Sequence, residues 1–140
     1  MPIFTRRWDD PPPPAEPTDG TRILITRYRP RGLKKEFETW SAWYPELAPS
    51  VELHAAAYGK NGLKIGWEIY RRRYLAEMKS PDARARIAEL TARLHAGETL
   101  TLLCSSACTR ESRCHRSLLA ELLEQSLATP HDAPDGPSPN

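Results

Sequence analysis

A chain of 140 residues has room for one hydrophobic core, and its 39% hydrophobic and 27% charged residues match an ordinary soluble domain. No apolar run is long enough to span a membrane. Residues 1–4 (MPIF) also lack the apolar stretch of a secretory leader, so a cytoplasmic protein with no membrane partner is expected. The net charge is only +2, yet fifteen of the twenty basic residues are arginine, whose planar fork suits phosphate and carboxylate oxygens. Alanine and proline are abundant too, so a GC-rich coding bias is the competing origin of that excess.

In chain order, Ile3–Trp8 reads as a short strand. Residues 9–20 (DDPPPPAEPTDG) follow as a stiff connector, since consecutive prolines favour an extended polyproline conformation. Arg22–Tyr28, with Ile23, Leu24 and Ile25 in a row, reads as a strand covered on both faces; Pro30 and Gly32 end it in a turn. The spacing of Phe37, Trp40 and Trp43 predicts a helix over Lys34–Tyr44, stopped by Pro45. A second helix is expected over Leu63–Lys79, with Leu63, Trp67, Tyr70, Tyr74 and Met78 on one face. The third is capped by Ser80 and Pro81 and ends at Gly97. Thr99–Cys104 is a short apolar strand. A fourth helix after Ser112 buries Leu118, Leu119, Leu122, Leu123 and Leu127.

Buried strands alternating with helices imply an α/β fold: a small layered domain with a short, mostly parallel sheet flanked by helices. One domain is expected over residues 1–127, with a disordered tail at 128–140. The strands near Arg22–Tyr28 and Leu100–Cys104 are expected to be parallel neighbours.

Chemistry concentrates in the strand–loop–helix segment from Cys104 to Arg116 (CSSACTRESRCHR). Three cysteines within it (Cys104, Cys108 and Cys114) do not make a disulfide framework and point to thiols, a metal site or redox chemistry. Open α/β sheets bind ligands beyond the carboxyl ends of their strands, and a helix start attracts anions. Arg110, Arg113 and Arg116 would reinforce that field, and a thiol within it loses its proton more readily. Several readings stand. Cys104, Cys114 and His115 could be catalytic, with a thiolate nucleophile and an imidazole base or acid. The cysteines and His115 could instead ligate zinc. Adjacent Cys114 and His115 would diverge by about 100° on one helix, however, so no metal and no other cofactor is expected. The loop could also bind a phosphate without catalysis, or the cysteines could simply pack. A further basic cluster of Arg27, Arg29, Arg31, Lys34 and Lys35 follows the second strand, and Arg27, Arg31 and Lys35 are expected to supplement the anion site if the two strands are parallel neighbours. Trp40, Trp43, Trp67, Tyr70 and Tyr74 read mainly as core.

The segments Asp19–Lys35 (DGTRILITRYRPRGLKK), Ala48–Leu53, Arg71–Met78 and Leu100–Leu119 together resemble the domain-of-unknown-function 488 family, which includes the YeaO-like bacterial proteins. The resemblance spans roughly residues 2–127. It implies a compact α/β domain for which conserved cysteines have suggested enzymatic activity. One branch carries a Cys on the strand and a Cys-His-Arg on the next helix, matching Cys104 and Cys114-His115-Arg116. The YeaO-like branch keeps the histidine but generally lacks both cysteines. Departures include a longer Cys104–Cys114 gap, Ser105-Ser106 in place of an acidic residue, and Arg29 where tryptophan is preferred. The expected function is an enzyme acting on a phosphorylated small molecule, a nucleotide or nucleic acid; the alternative is a non-catalytic module binding the same anion.

Overall fold

The computed structural model describes residues 3–9, 19–60, 62, 64–105 and 113–128. Within these residues four strands form one parallel sheet: β1 (Ile3–Arg7), β2 (Thr21–Leu24), β3 (Ala42–Trp43) and β4 (Leu100–Cys104), in the order β1-β4-β2-β3. The expected pairing of the second and last strands is present, with Thr21 opposite Leu100 and Leu24 opposite Leu103. Every residue of β4 is buried, as a central strand requires. Most of the proline-rich connector and of the C-terminal tail lies outside the described residues.

Among the described residues four α-helices complete the fold: α1 (Val51–Tyr58), α2 (Trp67–Glu77), α3 (Pro81–His95) and α4 (His115–Ala128). Their starts have local causes. The Ser50 hydroxyl accepts from the Leu53 amide at 3.0 Å, and the Ser80 hydroxyl from the Ala83 amide at 3.3 Å, each satisfying an amide of the first turn. Gly59, at φ 72°, ends α1 in the left-handed conformation. Leu118, Leu119 and Leu123 of α4, with Leu90 and Leu94 of α3 and Tyr74 of α2, close over Ile23, Leu100 and Leu102 to make the core.

On the opposite face of the sheet sits a buried ionic cluster, since alternation along β2 turns Arg22 away from Ile23. Arg6 and Arg22 both pair with the Asp19 carboxylate, the former at 2.8 Å. Arg22 also donates to the carbonyls of Thr39 and Trp8.

The expected helix over Lys34–Tyr44 is not formed. A single 3-10 turn spans Lys35–Phe37, the chain then extends into β3, and a second 3-10 turn follows at Pro45–Leu47. The three aromatics whose spacing suggested a helix are used one at a time. Phe37 is exposed, Trp40 meets Trp8 edge-on at 6.0 Å, and the Trp43 indole donates to the Thr26 carbonyl at 2.7 Å. The amides of Ser41 and Tyr44 bond to Arg22 and Leu24 of β2, so strand pairing replaces helical hydrogen bonds here. The second expected helix begins at Trp67 rather than at Leu63, and α1 was not anticipated.

Candidate functional site

β2 pairs with β3 on one side and with β4 on the other, all parallel, so the chain leaves β2 and β4 side by side at the carboxyl end of the sheet. Open parallel sheets bind ligands just beyond the carboxyl ends of their strands. A cleft of about 950 Å³ lies there. Cys104, Cys114 and His115 contribute to its lining, as does the loop Thr26–Arg31 after β2. His54 and Tyr58 of α1, Lys64, and Trp67 and Tyr70 of α2 line another part.

The chemistry at the strand ends is compact. The Cys104 and Cys114 sulfurs are 3.1 Å apart, both residues are buried, and no disulfide joins them. His115 Nε2 lies 2.7 Å from the Ile25 carbonyl oxygen, which can only accept, so Nε2 carries the hydrogen. Nδ1 is then the lone-pair nitrogen of the neutral ring, and it faces Cys114 Sγ at 3.8 Å. The ring packs against Tyr74 at 5.6 Å. Neighbours on one helix would diverge, but α4 begins at His115 and Cys114 precedes it, so that argument does not apply. The three donor atoms lie within 4.8 Å of one another.

The cleft is electrostatically one-sided. Its lining includes Arg27, Arg29, Arg31, Lys64 and Arg113, and among the described residues no aspartate or glutamate. The arginines are not equivalent. Arg27 donates to the Pro49 carbonyl at 2.9 Å, and Arg29 pairs with Glu38 at 2.7 Å, so both brace the wall. Arg31 and Arg113 are exposed and have no ion-pair partner among the described residues. Burial, followed by the charges of Lys60 and Arg27, holds His54 below the usual imidazole range. Burial, with Cys114 and Cys104 nearby, pushes Tyr70 above the usual phenol range. Both aromatics therefore stay neutral near pH 7.

The sequence-derived candidates thus separate. Cys104, Cys114, His115, Arg113, Arg27 and Arg31 share the cleft. Lys35 stands outside its lining, in the exposed 3-10 turn. Arg116 is buried, also outside the lining, with its Nε lacking a hydrogen-bond partner. Arg110 and Cys108 lie outside the described residues. Sequence reading missed His54 and Tyr58 because α1 went unrecognised; its signals were the Ser50 cap and Gly59. It missed Lys64 by placing that residue inside the second expected helix, whereas α2 begins only at Trp67. Trp67 and Tyr70, read as core, line the cleft with their rings stacked at 5.6 Å.

Among the described residues no helix is long and apolar enough to cross a membrane. The chain is 35% identical over 111 residues to the uncharacterized protein YeaO of Escherichia coli, covering 79% of this chain and 89% of that one. It is 28% identical over 109 residues to the uncharacterized protein Rv3073c of Mycobacterium tuberculosis, covering 77% and 84%. No solved structure gives a significant match. A family model described as the active DUF488-N3 subclade matches residues 3–127. With that match running through every strand and all but the last residue of the final helix, the chain belongs to the DUF488 family, in its N3 subclade.

Proposed function

We propose that this protein is an enzyme whose Cys104–Cys114–His115 cluster acts on a phosphate-bearing substrate, with a nucleotide as the best fit to the cleft. One observation carries the reading: two sulfurs and an oriented imidazole meet in a cleft lined by five arginines and lysines and, among the described residues, by no carboxylate. Arg31 and Arg113 supply charge for the phosphate, and the half-buried Trp67 supplies an aromatic face for a base. His115 Nδ1 is placed to take a proton from Cys114 and return it, as general acid–base chemistry requires.

The test has a binding arm and a turnover arm. Calorimetric titration should show adenosine monophosphate binding more tightly than adenosine or phosphate alone. Replacing Arg31 and Arg113 together by alanine should weaken it by at least about tenfold, and Lys35→Ala should change nothing. A nucleotide panel is then followed by chromatography for consumption. Any consumption should disappear in Cys114→Ser and in His115→Ala. Undiminished turnover in both variants refutes the assignment, and tight binding without turnover of any member makes the protein a binding module instead.

A further inference from the structure

We propose that Cys104, Cys114 and His115 bind one thiophilic divalent metal ion of the zinc class and leave a fourth coordination position open to the cleft. Two sulfurs and a ring nitrogen within 4.8 Å of one another, all on buried residues, already form a Cys2His donor set. Two further features distinguish it from a chance cluster. The sulfurs stand 3.1 Å apart, near enough to share one hydrogen, so both already point to the same spot. The Ile25 carbonyl fixes the imidazole through Nε2, which turns the Nδ1 lone pair toward Cys114; metal-binding histidines are oriented by the same kind of bond.

The dimensions are close to those a tetrahedral ion needs. Bonds of about 2.3 Å to sulfur and about 2.0 Å to nitrogen separate two sulfurs by about 3.8 Å and sulfur from nitrogen by about 3.5 Å. The observed Cys114–His115 spacing of 3.8 Å is near the second value. The sulfurs need to part by about 0.7 Å, which small rotations about χ1 supply. Charge balances as well: two thiolates and a neutral imidazole cancel a divalent cation, the condition under which such groups tolerate burial. Soft sulfur donors and a lining without carboxylates among the described residues disfavour magnesium or calcium. Closed structural sites use four protein ligands. Among the described residues three ligands stand beside a cleft, which leaves a place for water or substrate, here facing basic residues that attract an anion.

This deepens the function proposed above by making Cys114 and His115 Nδ1 ligands of the ion in the loaded site, in place of the proton transfer between them, with the open position holding the substrate's anionic group; metal binding is measured without nucleotide, so the two can fail separately. The full chain is purified without chelator, equilibrated with Zn²⁺ or Co²⁺, desalted and analysed for metal. One ion per chain is expected, and the Co²⁺ form should show thiolate-to-cobalt charge transfer with tetrahedral d–d bands. Cys104→Ser and Cys114→Ser should each weaken binding by more than about 100-fold, beyond what loss of an outer-shell partner causes. Circular dichroism verifies that the variants fold. If either does not, the native protein decides: Zn²⁺ should slow iodoacetamide labelling at both cysteines, as mapped by mass spectrometry. Binding below about a tenth of an ion per chain, a cobalt spectrum without thiolate bands, or labelling indifferent to Zn²⁺ overturns the site. Loss of the metal in Cys108→Ser overturns the open fourth position. Metal absent with nucleotide still consumed leaves only the enzyme assignment standing, and metal present with no nucleotide bound leaves only the metal.

Discussion

Asp19→Ala tests the ionic cluster beneath the sheet. Asp19 is the carboxylate shared by Arg6 and Arg22, and the Asp19 and Arg22 side chains are 7% and 4% exposed. Removing the carboxylate leaves the Arg22 guanidinium buried with, among the described residues, only the Thr39 and Trp8 carbonyls as partners, neither of which carries charge. An uncompensated buried charge costs about 3–5 kcal/mol, a large part of the about 5–15 kcal/mol that holds such a domain together. With a urea m-value of about 1.5 kcal/mol/M, the unfolding midpoint should fall by about 2–3 M. Adding Arg22→Met should recover at least about 2 kcal/mol, because it removes the stranded charge. The half-buried pair Arg29–Glu38, nearer to solvent, is the control, where Glu38→Gln should cost under about 1 kcal/mol. An Asp19→Ala cost below about 1 kcal/mol, or no recovery in the double variant, would refute the reasoning. The cluster also bears on function, since Arg22 and Thr39 both bond the carbonyl of Trp8, a residue of the cleft lining.

Gly20→Ala should destabilise by more than about 2 kcal/mol in thermal melts, because φ is 66° and a Cβ there would meet the Thr99 carbonyl oxygen at 2.3 Å. Gly32→Ala, at φ 71° with nothing within 4 Å, should cost only the backbone strain of about 1 kcal/mol. His54 should titrate below 6.5 by NMR. As pH falls from 6.5 through that lowered value the unfolded chain binds more protons, so this histidine's contribution to stability is lost on acidification. Phosphate in the cleft should raise its pKa by favouring the imidazolium, and a shift no larger than in chloride of equal ionic strength would argue against an anion beside it.

What the sequence disclosed depended on how local the determining contacts are. α3 was readable to its caps because Ser80, Pro81 and the Ala83–Leu94 stripe settle it within one segment. The β2–β4 pairing followed from two short apolar strands, each followed by a basic turn, which parallel topology brings side by side. Lys34–Tyr44 misled because Trp40 and Trp43 answer to Trp8 and Thr26, partners far away in the chain that no periodicity encodes. α1 has eight residues and little amphipathic pattern, so its capping signals passed unread, and part of the cleft lining passed with them. At the site, residue types were legible but convergence was not. Whether Cys114 and His115 diverge or meet turns on a helix boundary one residue wide, the least readable feature of a sequence.

The hydrogen bond from His115 to the Ile25 carbonyl has a consequence for how this site can change over generations. Its acceptor is main chain, and Ile25 is itself pinned to β4 through its amide and the Leu103 carbonyl at 3.0 Å. A side-chain acceptor such as an aspartate can be lost in one nucleotide change, but no codon at position 25 removes a carbonyl. The imidazole tautomer is therefore insulated from point mutation at its partner. Drift can alter the bulk at position 25 and the charges around the cleft while the nitrogen facing Cys114 keeps its lone pair.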